Sequence, residues 1–158
     1  GRCSSVAALG ANLLKLHPRI AFRGAVDTLE SEIILCQLIA DPETKAALEE
    51  VLSYVRLILR CEVLNEPVPS PKLCGLTEGQ VRSHSHRPQD FYGQPHFMPE
   101  VTDGAAILQM NRARCAARAA ELACARAFPN GARPDIQKAL NRMSSMIYIL
   151  MIRLKAEK

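Results

Sequence analysis

Residues 134–155 read PDIQKALNRMSSMIYILMIRLK, and this stretch decides the fold class. Its apolar residues recur at intervals of three or four positions, which places them on one side of an α-helix. They are Ile136, Leu140, Met143, Ile147, Leu150, Met151 and Leu154. Pro134 suits the first turn of a helix, where its missing N–H is not needed. The pattern predicts a helix from near Pro134 to about Lys155 with one buried face.

Three earlier stretches have the same helical periodicity: residues 23–40, 43–64 and 104–128. Asp41 and Pro42 suit the N-cap and first turn of the second stretch, and Asp103 suits the N-cap of the third. Hydrophobic residues make up 48% of the chain but aromatic residues only 4%, which favours a core of aliphatic side chains between helices. The sequence therefore predicts an all-α fold, a helical bundle of about four to five helices. We expect residues 17–158 to form this single domain and residues 1–16 an N-terminal arm, the remnant of a longer N-terminus.

The bulk composition excludes several classes of protein. The net charge of +4 is mild and spread along the chain, whereas a nucleic-acid footprint is denser. No apolar run approaches the roughly 20 residues of a membrane span. None of the six cysteines forms a CxxC pair, so we interpret them as reduced thiols of a cytoplasmic protein, with disulfides as the alternative. The GxxxxGK[ST], GxGxxG, HExxH and GxSxG signatures are also absent.

A long segment, residues 65–103, holds most of the prolines and three of the four histidines. Thr77 and Gln80 fit a capping box for one brief helix inside it. A loop of this length in a compact domain is usually a lid or a binding segment. His84 and His86 could offer two imidazoles to a metal, but no third ligand has a convincing spacing, so positioning or solvent-facing roles are favoured.

The helix predicted over residues 104–128 carries a polar stripe on an alanine background. Asn111, Arg114, Arg118 and Glu121 lie three or four residues apart. One reading is a solvated face with an Arg118–Glu121 pair. The other is a close helix contact that half-buries the guanidiniums, which would then need a carboxylate or phosphate partner. The alanines favour the second reading.

Two other polar groups could complete such a site. Asp27 and Glu30, one turn apart, are candidate carboxylates for the arginines, although they could equally be surface acids. In the last helix, a line of polar residues lies on an apolar background and requires partners. This line consists of Asn141, Ser145 and Tyr148, with Arg142 beside it.

Six motifs occur in a specific order: HPRIAFRG at 17–24, VDTLE at 26–30, SHRP at 85–88, HFMP at 96–99, RPDI at 133–136 and ALNRMSS at 139–145. Together they resemble the ethanolamine-utilisation type of cobalamin adenosyltransferase, over about residues 17–154. The wider family, which includes the propanediol-utilisation type, shares an Asp-x-Leu segment, an R-x-x-E core and a closing L-N-R-[LM]-S helix. These match residues 27–29, 118–121 and 140–144.

The resemblance implies an enzyme, a corrinoid adenosyltransferase. Cob(I)alamin would attack the 5′ carbon of ATP to give adenosylcobalamin and inorganic triphosphate. The resemblance also implies a homotrimer with active sites between subunits, and Mg²⁺ arriving with ATP rather than a metal held by the protein. A cobalt reductase and an adenosylcobalamin-dependent ammonia-lyase are the expected partners, in the cytoplasm or inside a bacterial microcompartment.

The resemblance assigns roles to ten residues. Asp27 and Arg118 would form a catalytic pair beside the corrinoid. The expected ATP-binding residues are Arg114, Glu121, Asn141 and Arg142, and the expected cobalamin-binding residues are Phe91, His96, Phe97 and Ser145. Phe97, with Phe91 as second choice, would keep an axial ligand off cobalt.

Three departures from the family pattern bear on these roles. The Gly-rich ATP segment of the propanediol type is missing, as is the upstream His and Cys cluster that some ethanolamine-type members carry. Leu122 stands where the family has an arginine, which removes an expected phosphate contact. The alternative hypotheses are therefore a non-catalytic corrinoid-binding or escort protein and a purely structural bundle.

Overall fold

The computed structural model describes residues 17–158, so the predicted arm over residues 1–16 lies outside the described residues. Four long helices dominate: α1 Pro18–Ile39, α2 Pro42–Leu64, α5 Ala105–Ala127 and α6 Pro134–Ala156. Between α2 and α5 lie a short antiparallel hairpin and two short helices: β1 Lys72–Leu73, β2 Leu76–Thr77, α3 Glu78–His86 and α4 Pro88–Tyr92. Two 3₁₀ turns, Val101–Asp103 and Pro129–Gly131, flank α5. The all-α bundle is confirmed.

Helix α5 is the centre of the packing, because it contacts both α1 and α6. Its inner face is lined by small residues, among them the fully buried Ala113, Ala117 and Ala120. Small side chains let neighbouring helices approach closely, so the alanine background has the packing role that the sequence indicated. The rest of the core consists mainly of aliphatic side chains and methionines, as the composition predicted.

Two helix starts differ from the sequence prediction. Helix α1 begins at Pro18 rather than Arg23, because His17 caps it: its Nδ1 accepts the N–H of Arg19 at 3.1 Å. Helix α5 is not capped by Asp103, since Gly104 occupies the cap position. The buried Asp103 carboxylate instead accepts a hydrogen bond from the N–H of Glu100 and forms an ion pair with Lys155. By contrast, Asp41 caps α2 through the N–H of Thr44 at 2.9 Å, as expected.

The segment between α2 and α5 is tied to the bundle at several points. The capping box of Thr77 and Gln80 is confirmed, and it opens α3, which packs on α6. Near the start of α6, Asp135 Oδ2 accepts the N–H of Val68 at 2.9 Å and Arg133 donates to the carbonyl of Glu66 at 2.6 Å. The segment therefore presents ordered side chains to α6.

The cysteine and membrane findings apply to residues 17–158. The five cysteines in this range are free thiols. No helix of the described range is long and apolar enough to cross a membrane.

Candidate functional site

A cleft of about 620 Å³ lies between α5, α6 and the segment at residues 95–99, and we call it the loop cleft. It brings together most of the predicted site residues, although they are widely separated in the sequence. Those lining it are His96, Phe97, Arg114, Arg118, Glu121, Asn141 and Ser145. Tyr148, which ends the predicted polar line of α6, also lines this cleft. The polar stripes of the two helices thus face one common space.

A second cleft, of about 670 Å³, lies where α5 ends and α6 begins, and we call it the helix-end cleft. Its walls are largely apolar and include Phe128 and Pro134, with Lys138 and Arg142 on the α6 side. Sequence reasoning did not predict this cleft. Glu121 and Asn141 line both clefts, so the two spaces meet at this pair.

The pair at the junction is hydrogen-bonded in a defined orientation. Asn141 Nδ2 donates to Glu121 Oε1 at 3.2 Å, and Arg142 Nη1 donates to Asn141 Oδ1 at 2.7 Å. Because an arginine can only donate, its contact identifies the amide oxygen and turns the amide nitrogen toward the carboxylate. The Arg142 side chain is only 11% exposed and has its Nε 3.5 Å from Glu78 Oε1. A chain of polar contacts therefore runs from α3 through α6 to α5.

The predicted pairing of the α5 arginines is not found within the chain. Arg114 Nε donates to Asn111 Oδ1 at 3.0 Å. Arg118 is exposed rather than half-buried, and within residues 17–158 it pairs with neither Glu121 nor Asp27. The buried alanines face inward, and Arg118, one position beyond Ala117, faces outward. Asp27 is likewise exposed on α1, while Glu30 pairs with Arg56 at 3.1 Å.

The two candidate phenylalanines occupy different places. Phe97 is half-buried in the wall of the loop cleft. Phe91 lies outside this cleft, is 43% exposed and stacks on His84 with ring centroids 3.8 Å apart. His84 is further held by its Nδ1, 2.7 Å from the Tyr92 hydroxyl. Phe91 therefore does not line the loop cleft, and its cobalamin contact stays a prediction.

The model of the cobalamin adenosyltransferase family matches residues 4–154. The chain belongs to this family. It is 30% identical, over 142 residues, to the "Corrinoid adenosyltransferase EutT" of Salmonella typhimurium strain LT2 and to the protein of the same name in Escherichia coli K12. Each match covers 87% of this chain and 53% of the relative, so the chain spans about half the length of these curated relatives. The resemblance drawn from the motifs is confirmed.

Within this cobalamin adenosyltransferase family member, two residues of the site escaped sequence reasoning. Glu78 lies 2.8 Å from Lys138 Nζ as well as near Arg142, and the hydrogen bond from Lys138 lowers the pKa of the Glu78 carboxyl. The sequence feature that could have indicated Glu78 is its place in the first turn of the helix that Thr77 caps. Tyr148 belongs to the predicted polar line of α6, but neither the residue pattern nor the family resemblance assigned it a role. Among residues 17–158, no three His, Cys, Asp or Glu side chains come together as a metal site would require.

Proposed function

We propose that the protein is an ATP:cob(I)alamin adenosyltransferase. The observation that carries the proposal is the meeting of two clefts, one for each substrate, at the Glu121–Asn141 pair. In the reaction, the lone pair of cobalt(I) forms a bond to the 5′ carbon of ATP. The bond from that carbon to oxygen breaks, and its electrons leave with triphosphate, so cobalt ends formally as cobalt(III). The nucleophile belongs to the corrinoid, and the protein must align the substrates, exclude water and neutralise the leaving group.

We assign the corrinoid to the loop cleft and the nucleotide to the helix-end cleft. His96, Phe97 and Ser145 then face the corrinoid, as the resemblance suggested, and Phe97 would block an axial position of cobalt. Arg114 lies two helical turns from Glu121 on the loop-cleft side, so we move it from the ATP site to the corrinoid side. The reacting atoms would meet beside Asn141.

The nucleotide side would draw its charge from α6. Arg142 and Lys138 line the helix-end cleft and can neutralise part of the departing triphosphate. Asn141 and Glu121 can hydrogen-bond the ribose at the junction. Mg²⁺, when present, would bind with the phosphates of ATP, and we assign it no protein ligands.

We further propose a homotrimer in which Asp27 of one subunit pairs with Arg118 of the next. Asp27 lies on an outward face of α1 together with Ile20 and Ile34, each two turns away, and Leu38, one turn beyond Ile34. These three are exposed large hydrophobic residues, and Leu38 reaches 79% exposure. An exposed apolar stripe around a single carboxylate is typical of an interface that buries a specific ion pair.

The test is an anaerobic assay of the purified protein with reduced cobalamin and ATP, followed by visible absorbance. Asn141→Ala should lower kcat by about 100-fold, since it removes the junction between the substrates. Glu157→Gln, at an exposed end of α6, is the control and should leave kcat unchanged. No adenosylcobalamin from the unaltered protein would refute the proposal.

The interface needs its own experiment. Asp27→Arg and Arg118→Asp should each dissociate the trimer and abolish activity, and the double variant should restore both, as measured by light scattering and turnover. Restoration of neither property by the double variant would refute the pairing.

An escort protein that binds corrinoid without catalysis is the second candidate, which the sequence raises because Leu122 stands where the family has an arginine. Calorimetry separates the two functions. An enzyme should bind both cobalamin and ATP, whereas an escort should bind cobalamin and give no heat with ATP, with or without magnesium.

A further inference from the structure

The backbone of the segment at residues 95–99 is hydrogen-bonded to the hydroxyl group of Tyr148 on α6. The backbone N–H of Phe97 donates to Tyr148 Oη at 3.1 Å. Tyr148 lies two turns beyond Asn141 on α6, at the same cleft. A backbone amide at the edge of an open cleft is otherwise left to water, so this bond determines where the Phe97 backbone lies.

His96 contacts the same hydroxyl. Its Nε2 lies 3.1 Å from the carbonyl oxygen of His86, and a carbonyl can only accept, so Nε2 carries the hydrogen. In the neutral ring the other nitrogen, Nδ1, is an acceptor, and it lies 3.3 Å from the Tyr148 hydroxyl. The hydroxyl accepts from the Phe97 N–H and has two acceptors within reach of its own hydrogen, His96 Nδ1 and the Phe97 carbonyl oxygen at 3.4 Å. We call these three residues and the His86 carbonyl the Tyr148 clasp.

The Phe97 ring is confined as well as its backbone. Its centroid lies 6.3 Å from that of the Tyr148 ring, at an interplanar angle of 28°. Lys155 Nζ lies 5.3 Å from the Phe97 ring centroid and is itself paired with the buried Asp103. The next residue, Met98, has no such support and is 88% exposed. The segment thus holds one aromatic ring in place while its neighbour remains in solvent.

We infer that Tyr148 is a positioning residue for adenosyl transfer, which acts by holding Phe97 against the corrinoid face in the loop cleft. The inference rests on the proposed function, because that function gives the Phe97 ring its task of blocking an axial position of cobalt. A ring that must occupy one axial face of cobalt works only if it is placed to within a fraction of an ångström. Polar groups that serve only the fold would have no reason to converge on one loop residue at the cleft.

The test is Tyr148→Phe, which removes the hydroxyl and keeps the ring. We expect kcat to fall about tenfold, the effect of losing one well-placed hydrogen bond, while the KM for ATP stays unchanged. The electron paramagnetic resonance spectrum of bound cob(II)alamin should also shift toward the form with an axial ligand. A variant with unaltered kcat and spectrum would overturn the inference.

Tyr92→Phe is the matched control. Its hydroxyl is also bound to a histidine, His84, but it lies outside the loop cleft, so this variant should retain full turnover. An equal loss in both variants would mean a general effect on the segment and would overturn the inference.

A double variant separates positioning from direct contact with substrate. In a Phe97→Ala background, Tyr148→Phe should cause no further loss, because the ring it positions is gone. A further tenfold loss would mean that the hydroxyl touches the substrate itself, contrary to the inference.

Hydrogen exchange distinguishes failure of this inference from failure of the proposed function. Tyr148→Phe should speed exchange of the Phe97 amide even without substrates, and Tyr92→Phe should not. If Tyr148→Phe speeds exchange of the Phe97 amide but the unaltered protein makes no adenosylcobalamin, the Tyr148 clasp is a structural contact and its catalytic task is refuted. Unchanged exchange would refute the clasp itself.

Discussion

Replacement of Asp135 by asparagine should weaken the attachment of α6 to the rest of the bundle. Asp135 lies in the first turn of α6 and receives a two-pronged contact from Arg133, with both distances 3.0 Å. The same carboxylate accepts the N–H of Val68 from the segment after α2. The asparagine keeps one acceptor but loses the charge. Helix α6 carries Asn141, so the anchor lies at the base of the proposed site.

The size of the effect follows from the pKa of the carboxyl group. The hydrogen bond from Arg133, the largest cause, lowers the pKa of Asp135 from its ordinary value of 3.8 to about 2. This difference corresponds to about 2 kcal/mol of unfolding free energy at neutral pH. The lowered pKa means that the stabilisation is fully present above about pH 4, where the unfolded chain is also ionised, and is lost as pH falls toward 2.

The assay is urea unfolding followed by circular dichroism at several pH values. Asp135→Asn should lose about 2 kcal/mol at pH 7, and its deficit relative to the unaltered protein should shrink as pH approaches 2. Asp90→Asn is the control, because Asp90 and its partner Arg87 are both more than half exposed and lie 4.0 Å apart. A deficit below about 0.5 kcal/mol, or one that does not change with pH, would refute the reasoning.

Three further predictions concern other titratable side chains. Glu62→Gln should cost about 2 to 3 kcal/mol in urea unfolding, because two half-buried arginines of α1 converge on this fully buried carboxylate; a loss under 1 kcal/mol would contradict it. Burial raises the pKa of Cys36 to about 12 and that of Cys124 to about 11, so neither should react with iodoacetamide at pH 8 until the protein is unfolded, as peptide mass mapping would show. Burial lowers the pKa of His84 below its ordinary 6.5, so the native state favours the neutral ring and stability should fall as pH drops below 6.5. His84→Gln should flatten that dependence, and an unchanged slope would exclude the histidine as its cause.

The long helices were predictable because their signal is local. The apolar spacing of α6 and the Asp41-Pro42 start of α2 depend only on neighbours within a few residues. The start of α1 was missed for a local reason too: the predicted stretch begins at residue 23, whereas Pro18 follows a capping residue and begins the helix. At α5, Asp103 fitted the cap pattern but is instead held by Lys155, about fifty residues away. A cap rule cannot anticipate a competing partner of that kind.

Most of the residues that line the candidate site were predictable, but the contacts among them were not. The motifs identified Glu121 and Asn141, and their contact confirms that the two helices face each other there. The roles of Glu78 and the helix-end cleft depend on how α3 docks on α6, which no spacing in the sequence encodes. Arg118 shows most clearly what could not be predicted from the sequence. The alanines correctly indicated a close helix contact, yet one step of 100° around the helix carries Arg118 out of that contact to an exposed position in the wall of the loop cleft.

The same helical geometry changes the meaning of Leu122. By comparison with the family sequence pattern, Leu122 replaces an arginine and so removes an expected phosphate contact. In the fold it is 55% exposed, one turn beyond Arg118 on the outer side of α5, and it lines neither cleft. An arginine at this position would therefore add no charge to the helix-end cleft of its own subunit. Under the proposed function, Lys138 and Arg142 of α6 would supply positive charge from the wall of that cleft; Glu78 pairs with Lys138 at 2.8 Å and lies 3.5 Å from Arg142 Nε. The leucine instead adds apolar area to the surface on which Arg118 would receive the Asp27 of a neighbouring subunit.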